Sequence, residues 1–178
     1  MMPQIVLIFF IFAFMGWIIE FVFRAFDEKH IGNPGLLKGP WLPVYGLTGV
    51  IIFLVSGILA DHSILLRMLF YLILCTAFEF IAGEFLGKIF HKRLWDYSNY
   101  KYNLRGLICP AYSAGWVLIA VLVELFILPE INSAIILLSP SDILKAIVPL
   151  ISVFTVDFLI SSGIASREHF NRLKDLIG

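Results

Sequence analysis

"PQIVLIFFIFAFMGWII", Pro3 to Ile19, carries no charge, and the first one after it is Glu20. A helix needs about 20 predominantly apolar residues to cross a bilayer, whereas a helix on a water-facing protein keeps one polar side. The stretch therefore predicts a transmembrane helix over about residues 3–26. It has neither a basic leading region nor a small-residue cleavage site, so it is expected to be retained, not removed as a signal peptide.

Working outward, four more apolar segments follow, over about residues 43–60, 64–90, 107–128 and 143–166. Hydrophobic residues make up 60% of the 178 and charged ones 15%, against about 45–50% and about 25% in soluble domains. Such a chain has too little polar surface to face water throughout. The fold class expected is an all-α polytopic membrane protein of five transmembrane helices, forming a single integral membrane domain over residues 1–178. The formal net charge is zero, which gives nucleic acid no purchase as a partner. Cys75 and Cys109 lie in or beside apolar stretches without CxxC spacing and read as small buried hydrophobes.

Charge orients these segments. Lys and Arg are absent before the first span, and Arg24, Lys29 and Lys38 follow it. Arg67 stands alone between the second and third spans, and Lys145 alone before the fifth. Lys88, Lys92, Arg93, Lys101 and Arg105 separate the third from the fourth, and Arg167, Arg172 and Lys174 close the chain. Eleven of the 13 basic residues thus fall on alternate sides. Basic loops stay cytoplasmic, so the N-terminus is expected outside and the C-terminus inside.

Two of the inner connections echo one another. "NPGLLKGP" (Asn33–Pro40) and "NLRGLICP" (Asn103–Pro110) both run from Asn to Pro, and each follows a helix with glutamate near its inner end. The pattern predicts a parallel repeat of two helical hairpins, residues 3–60 and 64–128, with the fifth helix, 143–166, added. Pro and Gly in these loops free backbone groups that Asn33 and Asn103 can satisfy. Such irregular backbone survives at membrane depth only against protein or a water-filled cavity. It reads either as an interfacial turn or as the frame of a polar site. Trp95, Tyr97, Tyr100 and Tyr102 suit the headgroup level, while Asp96 beside them stands among five basic residues and is open to pairing with Lys92 or Arg93.

Acids inside the spans carry the sharper signal, because a carboxylate at the bilayer centre costs about 2.5 kcal/mol or more. Glu20 has Arg24 four residues on, and Glu84 has Lys88, spacings that allow ion pairs. Glu124 is expected close enough to the outer surface to be solvated. Glu79 and Asp157 have no such relief in their own helices and are the leading candidates for a buried functional carboxylate, or else for an interhelical hydrogen bond. "GEFLG" (Gly83–Gly87) offers a small-residue face on which a neighbouring helix could pack, with Glu79 on the same side.

No phosphate-cradling G-x-x-x-x-G-K-[ST] occurs. "AYSAG" around Ser113 lacks the first glycine of a nucleophile elbow. His30, His62, His91 and His169 are scattered singly, so neither a metal nor another cofactor is expected.

Taken together in this order, "GWIIE" (Gly16–Glu20), "NPGLLKGPWLPVYG" (Asn33–Gly46), "EFIAGEFL" (Glu79–Leu86), "WDYS" (Trp95–Ser98) and "NLRGLICP" resemble the ABC-transporter type IV permease-like family of CmpB type. The likeness covers about residues 16–116. Pro34 and Leu36 depart from the family pattern, which has Arg and Phe there, while Asn33, Gly35, Gly39, Pro40, Pro43, Tyr45 and Gly46 keep it. Arg105 in the second loop could replace the missing Arg. The resemblance implies a small bacterial cytoplasmic-membrane permease component. A separate ATPase subunit or another membrane protein is then its expected partner, besides the bilayer; a homo-oligomer is compatible with it. The expected substrate-binding residues are Glu20, Asn33, Tyr45, Glu79, Glu84, Trp95, Asp96, Tyr97, Asn103, Arg105 and Asp157, at the cytoplasmic mouth of the bundle. Two other readings stay open: a membrane enzyme acting on a lipid or lipid-linked substrate at the inner interface, and an accessory or scaffold protein.

Overall fold

The structure, a computed structural model, describes residues 2–27 and 32–162. Among them are five helices and no strand. Four are long and apolar enough to cross a membrane: α1 (Met2–Phe26, continuing to Asp27), α3 (Ile64–Ile89), α4 (Pro110–Ile136) and α5 (Pro140–Ser161). The shorter α2 (Pro43–Ile58) lies between α1 and α3 in sequence. Large apolar side chains stay exposed along the long helices, for instance Ile19 at 55%, Ile73 at 56%, Leu118 at 62% and Val153 at 55%. Water would penalise that surface and lipid does not. The protein is a multi-pass membrane protein.

Helix ends follow from local chemistry. Ser63 caps α3 by accepting the Leu66 N–H, and Ser139 caps α5 by accepting that of Asp142. Pro43 and Pro110 occupy the first turns of α2 and α4, where a missing N–H is harmless. At 16 residues, α2 is about 24 Å long, short of the about 30 Å hydrocarbon core. The chain before it packs against the middle of α1, where the Leu42 N–H donates to the Ala13 carbonyl at 3.0 Å.

Two boundaries differ from expectation. The fourth helix starts at Pro110, not near Leu107, because Leu104 and Ile108 pair as an isolated β-bridge. It also runs on through Pro129 to Ile136. An α-helical proline clashes with the carbonyl four residues back. Here the turn Val123–Ile127 widens to π geometry, with the Leu128 N–H donating to Val123 O, and the helix passes its proline unbroken. The fifth helix spans Pro140–Ser161; the expected continuation to residue 166, and Arg167, Arg172 and Lys174, lie outside the described residues.

The helices alternate in direction. The core of Ile8, Phe12, Ile52, Val55, Tyr71 and Val117 fills the half of the bundle where α1, α3 and α5 begin. On α2, Gly46 and Gly49 receive Phe9 and Phe12 of α1; a Cβ on Gly46 would come 2.7 Å from the Phe9 ring. Gly16 of α1 receives Tyr45 in return. Glu124, expected to be solvated, is buried in the core half: Arg67 of α3 forms an ion pair with it, and the Tyr71 hydroxyl donates to it at 2.6 Å. The opposite half is closed by the two Asn-to-Pro loops.

Candidate functional site

Each loop is organised by its asparagine. The Asn33 amide donates to the carbonyls of Leu37 and Lys38, both at 2.8 Å. Its oxygen accepts from Gly35 N at 3.1 Å and from the Trp17 indole at 3.2 Å. Asp157 of α5 then clasps the loop, accepting the N–H groups of Lys38 (3.0 Å) and Gly39 (2.8 Å), the Trp41 indole (3.0 Å) and the Ser161 hydroxyl (2.8 Å). Four donors account for this buried carboxylate, which ties α5 to the first loop.

The second loop explains why Trp-Asp-Tyr-Ser, a lone Asn and an Arg-Gly pair occur together. The Asn103 amide donates to Ser98 O (3.2 Å) and Tyr100 O (2.8 Å), and its oxygen accepts from Gly106 N at 2.9 Å. Asp96 accepts from the Ser98 hydroxyl and N–H at 2.6 and 2.9 Å and pairs with Arg93 at 3.2 Å. Ser98, its hydroxyl first, and then Arg93 hold the Asp96 carboxyl below the usual carboxylate range. Arg93 also donates to the Arg105 carbonyl, and Arg105 reaches Glu84 at 3.0 Å, alongside Lys88 at 2.7 Å. This polar framework stays outside and turns two aromatic residues inward. Trp95 donates its indole N–H to Leu107 O at 2.9 Å, and Tyr97 donates to Glu79 at 3.0 Å. A Tyr112 ring stacked at 4.1 Å holds Tyr97 in place, and burial followed by the charge of Glu79 pushes its phenol well above the usual value. Tyr97 therefore remains a donor.

The GEFLG face turns out to serve this loop. Gly83 is buried, and a Cβ there would come 2.7 Å from Leu107 and 3.3 Å from Trp95, whereas Gly87 has nothing within 4 Å. The small residue admits a loop, not a helix.

Between α1, α2, α3 and the two loops lies a cavity of about 340 Å³. Leu36, Val44, Phe78, Phe85 and Phe90 are among its apolar walls. Its polar end is a connected cluster. Arg24 pairs with Glu20 at 3.2 Å and donates to Leu94 O at 3.3 Å, while the Tyr45 hydroxyl donates to the other Glu20 oxygen at 3.1 Å. Glu79, 2% exposed, accepts from Tyr97 through Oε1. Trp116 neighbours the same carboxylate and packs on Tyr45 with ring centroids 5.5 Å apart. Oε2 of Glu79 has no hydrogen-bond partner.

The structure thus brings Glu20, Tyr45, Glu79, Trp95 and Tyr97 to one cavity. It places Asn33, Asp96, Asn103 and Asp157 within the loops and their clasp, and Glu84 with Arg105 in an ion pair away from the cavity wall. Trp116 and Arg24 complete the lining. Sequence reasoning treated Arg24 only as the partner of Glu20 and passed over Trp116; a tryptophan in the first two turns of a span that opens beside the second loop was the available signal.

No solved structure matches this chain. The family described as "Putative ABC-transporter type IV" matches it over residues 7–162, which includes both loops, the acids and the whole cavity wall. An all-helical membrane bundle with that match over most of its length is transporter-like, and the chain belongs to this family.

Proposed function

We propose that the protein is a permease-like subunit of the bacterial cytoplasmic membrane and that the cavity with Glu20, Tyr45, Glu79 and Tyr97 is its solute site, at the cytoplasmic mouth of the bundle. One observation carries this reading. Other buried carboxylates in the described residues have both oxygens hydrogen-bonded to named partners, whereas Glu79, on the cavity wall, has one buried oxygen with no donor in hydrogen-bond geometry. An unmade hydrogen bond on a buried carboxyl group is costly, which supports a ligand at this position. Leu47, Ile81 and Phe85 line the cavity and are also 43%, 62% and 51% exposed, which favours entry from the bilayer between α2 and α3. Energy for uphill movement would come from a separate ATPase subunit, since the chain has no phosphate-cradling loop.

Ala82, on the cavity wall, supplies the test. Ala82→Trp fills the cavity, and Leu72→Trp places the same bulk on an exposed position of α3. Metabolite profiles of cells and medium are compared for wild type, a deletion strain and both variants. Ala82→Trp should accumulate normally and reproduce the deletion profile, with Leu72→Trp matching wild type. A folded Ala82→Trp protein with the wild-type profile would remove the cavity from the function.

A further inference from the structure

The chemistry around Glu79 narrows what the cavity can take. Its lining holds two carboxylates, Glu20 and Glu79, against one cation, Arg24. Arg24 is already committed to Glu20 and to Leu94 O. Glu79 accepts from the neutral hydroxyl of Tyr97 through Oε1, and the Trp116 indole approaches the same carboxylate, while Oε2 has no donor in hydrogen-bond geometry. Around it stand three aromatic residues, Tyr45, Tyr97 and Trp116, all lining the same space. A carboxylate set among aromatic faces is the arrangement that binds organic ammonium groups. The carboxylate supplies the charge and accepts an N–H, and the ring faces attract the cation. The remaining wall is apolar and opens toward lipid through Leu47, Ile81 and Phe85. A volume of about 340 Å³ lies at the small end of ligand pockets, about 300–1,000 Å³, enough for one chain or ring system.

We propose that the cavity binds an amphipathic organic ammonium, its N–H donated to the Glu79 carboxylate among Tyr45, Tyr97 and Trp116 and its apolar body lying along Phe78 and Phe85. This rests on the cavity being the solute site. Anionic headgroups are disfavoured by the two carboxylates, and a neutral head gains nothing from the ring faces, which attract a cation. The same ammonium chemistry is offered by a free amine and by the headgroup of phosphatidylethanolamine.

The full-length protein in phosphatidylcholine nanodiscs is titrated with octylamine and with octanol, empty nanodiscs being subtracted. Octylamine should bind more tightly by about tenfold or more, the scale of one charge-assisted hydrogen bond. Glu79→Gln should remove that preference while keeping octanol binding. Equal affinity of wild type for the two probes overturns the proposal, and this comparison needs no variant to fold. A preference that survives in folded Glu79→Gln also overturns it. Adding phosphatidylethanolamine to the nanodiscs assigns the source: weaker octylamine binding identifies the lipid amine as the occupant, and unchanged binding identifies a free amine. If octylamine shows no preference but Ala82→Trp still abolishes function, the ammonium assignment alone is lost. If Ala82→Trp is without effect, the site itself is lost.

Discussion

At Gly106 the backbone adopts φ +68°, and a Cβ would come 2.5 Å from the Ser98 hydroxyl and 2.6 Å from Asp96. Gly106→Ala should therefore cost about 1–2 kcal/mol or more in thermal unfolding. Gly87→Ala, in a helix with open space around it, should be neutral or stabilising by about 0.5–1 kcal/mol. Equal effects would contradict the loop geometry. Asp96 gives a second residue-level expectation. Its folded pKa is depressed, chiefly by Ser98, so its contribution is present above the unfolded value of about 3.9 and is lost as pH falls through the lower folded value. Asp96→Asn should melt below wild type at pH 7, and the gap should close below about pH 4. A gap that does not change with pH would contradict the role of the charge. Glu20 with Arg24 and Glu84 with Lys88 were readable from sequence because both pairs lie one helical turn apart. The clasp of Asp157 was not, since its loop partners lie 116 to 119 residues away and meet it only when α5 docks.

Five helices were legible from apolar run length, and their capped or proline-started ends fell close to expectation. The end of α4 was not: the segment was expected to close near residue 128, and the π turn that carries the helix past Pro129 to Ile136 has no apolar-run signature. Glu124 was misread for a related reason: its partner stands on another helix. Arg67 and Tyr71 lie four residues apart on α3 and converge on it. Removing one member strands a buried charge, so Arg67→Met should destabilise by about 3–5 kcal/mol. Adding Glu124→Gln should recover most of that loss. Thermal or denaturant unfolding in one detergent checks both, and a double variant no better than Arg67→Met would mean the pair does not act as a unit.

The whole molecule divides into a packed half and a hollow half, with the basic loops at the hollow end. If that end is cytoplasmic, as we propose from the positive charges, Lys101→Cys should react with an impermeant maleimide only from inside. Asp61→Cys, in the exposed connection between α2 and α3, should react only from outside. The reverse pattern would invert the orientation and move the cavity to the other side of the membrane. That polar side chains would gather at this end was legible in the repeated Asn-to-Pro loops and the lone acids. Which of them face the cavity was not, because Trp95 and Tyr97 turn inward while Asp96, between them, turns out, a choice made by hydrogen bonds within the loop. The central claim is that a cavity exists there, with the Glu79 carboxylate at its end. A cryo-EM map of the protein in lipid nanodiscs, enlarged by a bound antibody fragment, measures this directly. The account predicts an open space between Phe78, Phe85 and the first loop, with Tyr97 bonded to Glu79 and density reaching toward the Glu79 carboxylate. Collapsed walls, or Glu79 paired with a basic side chain, would contradict it.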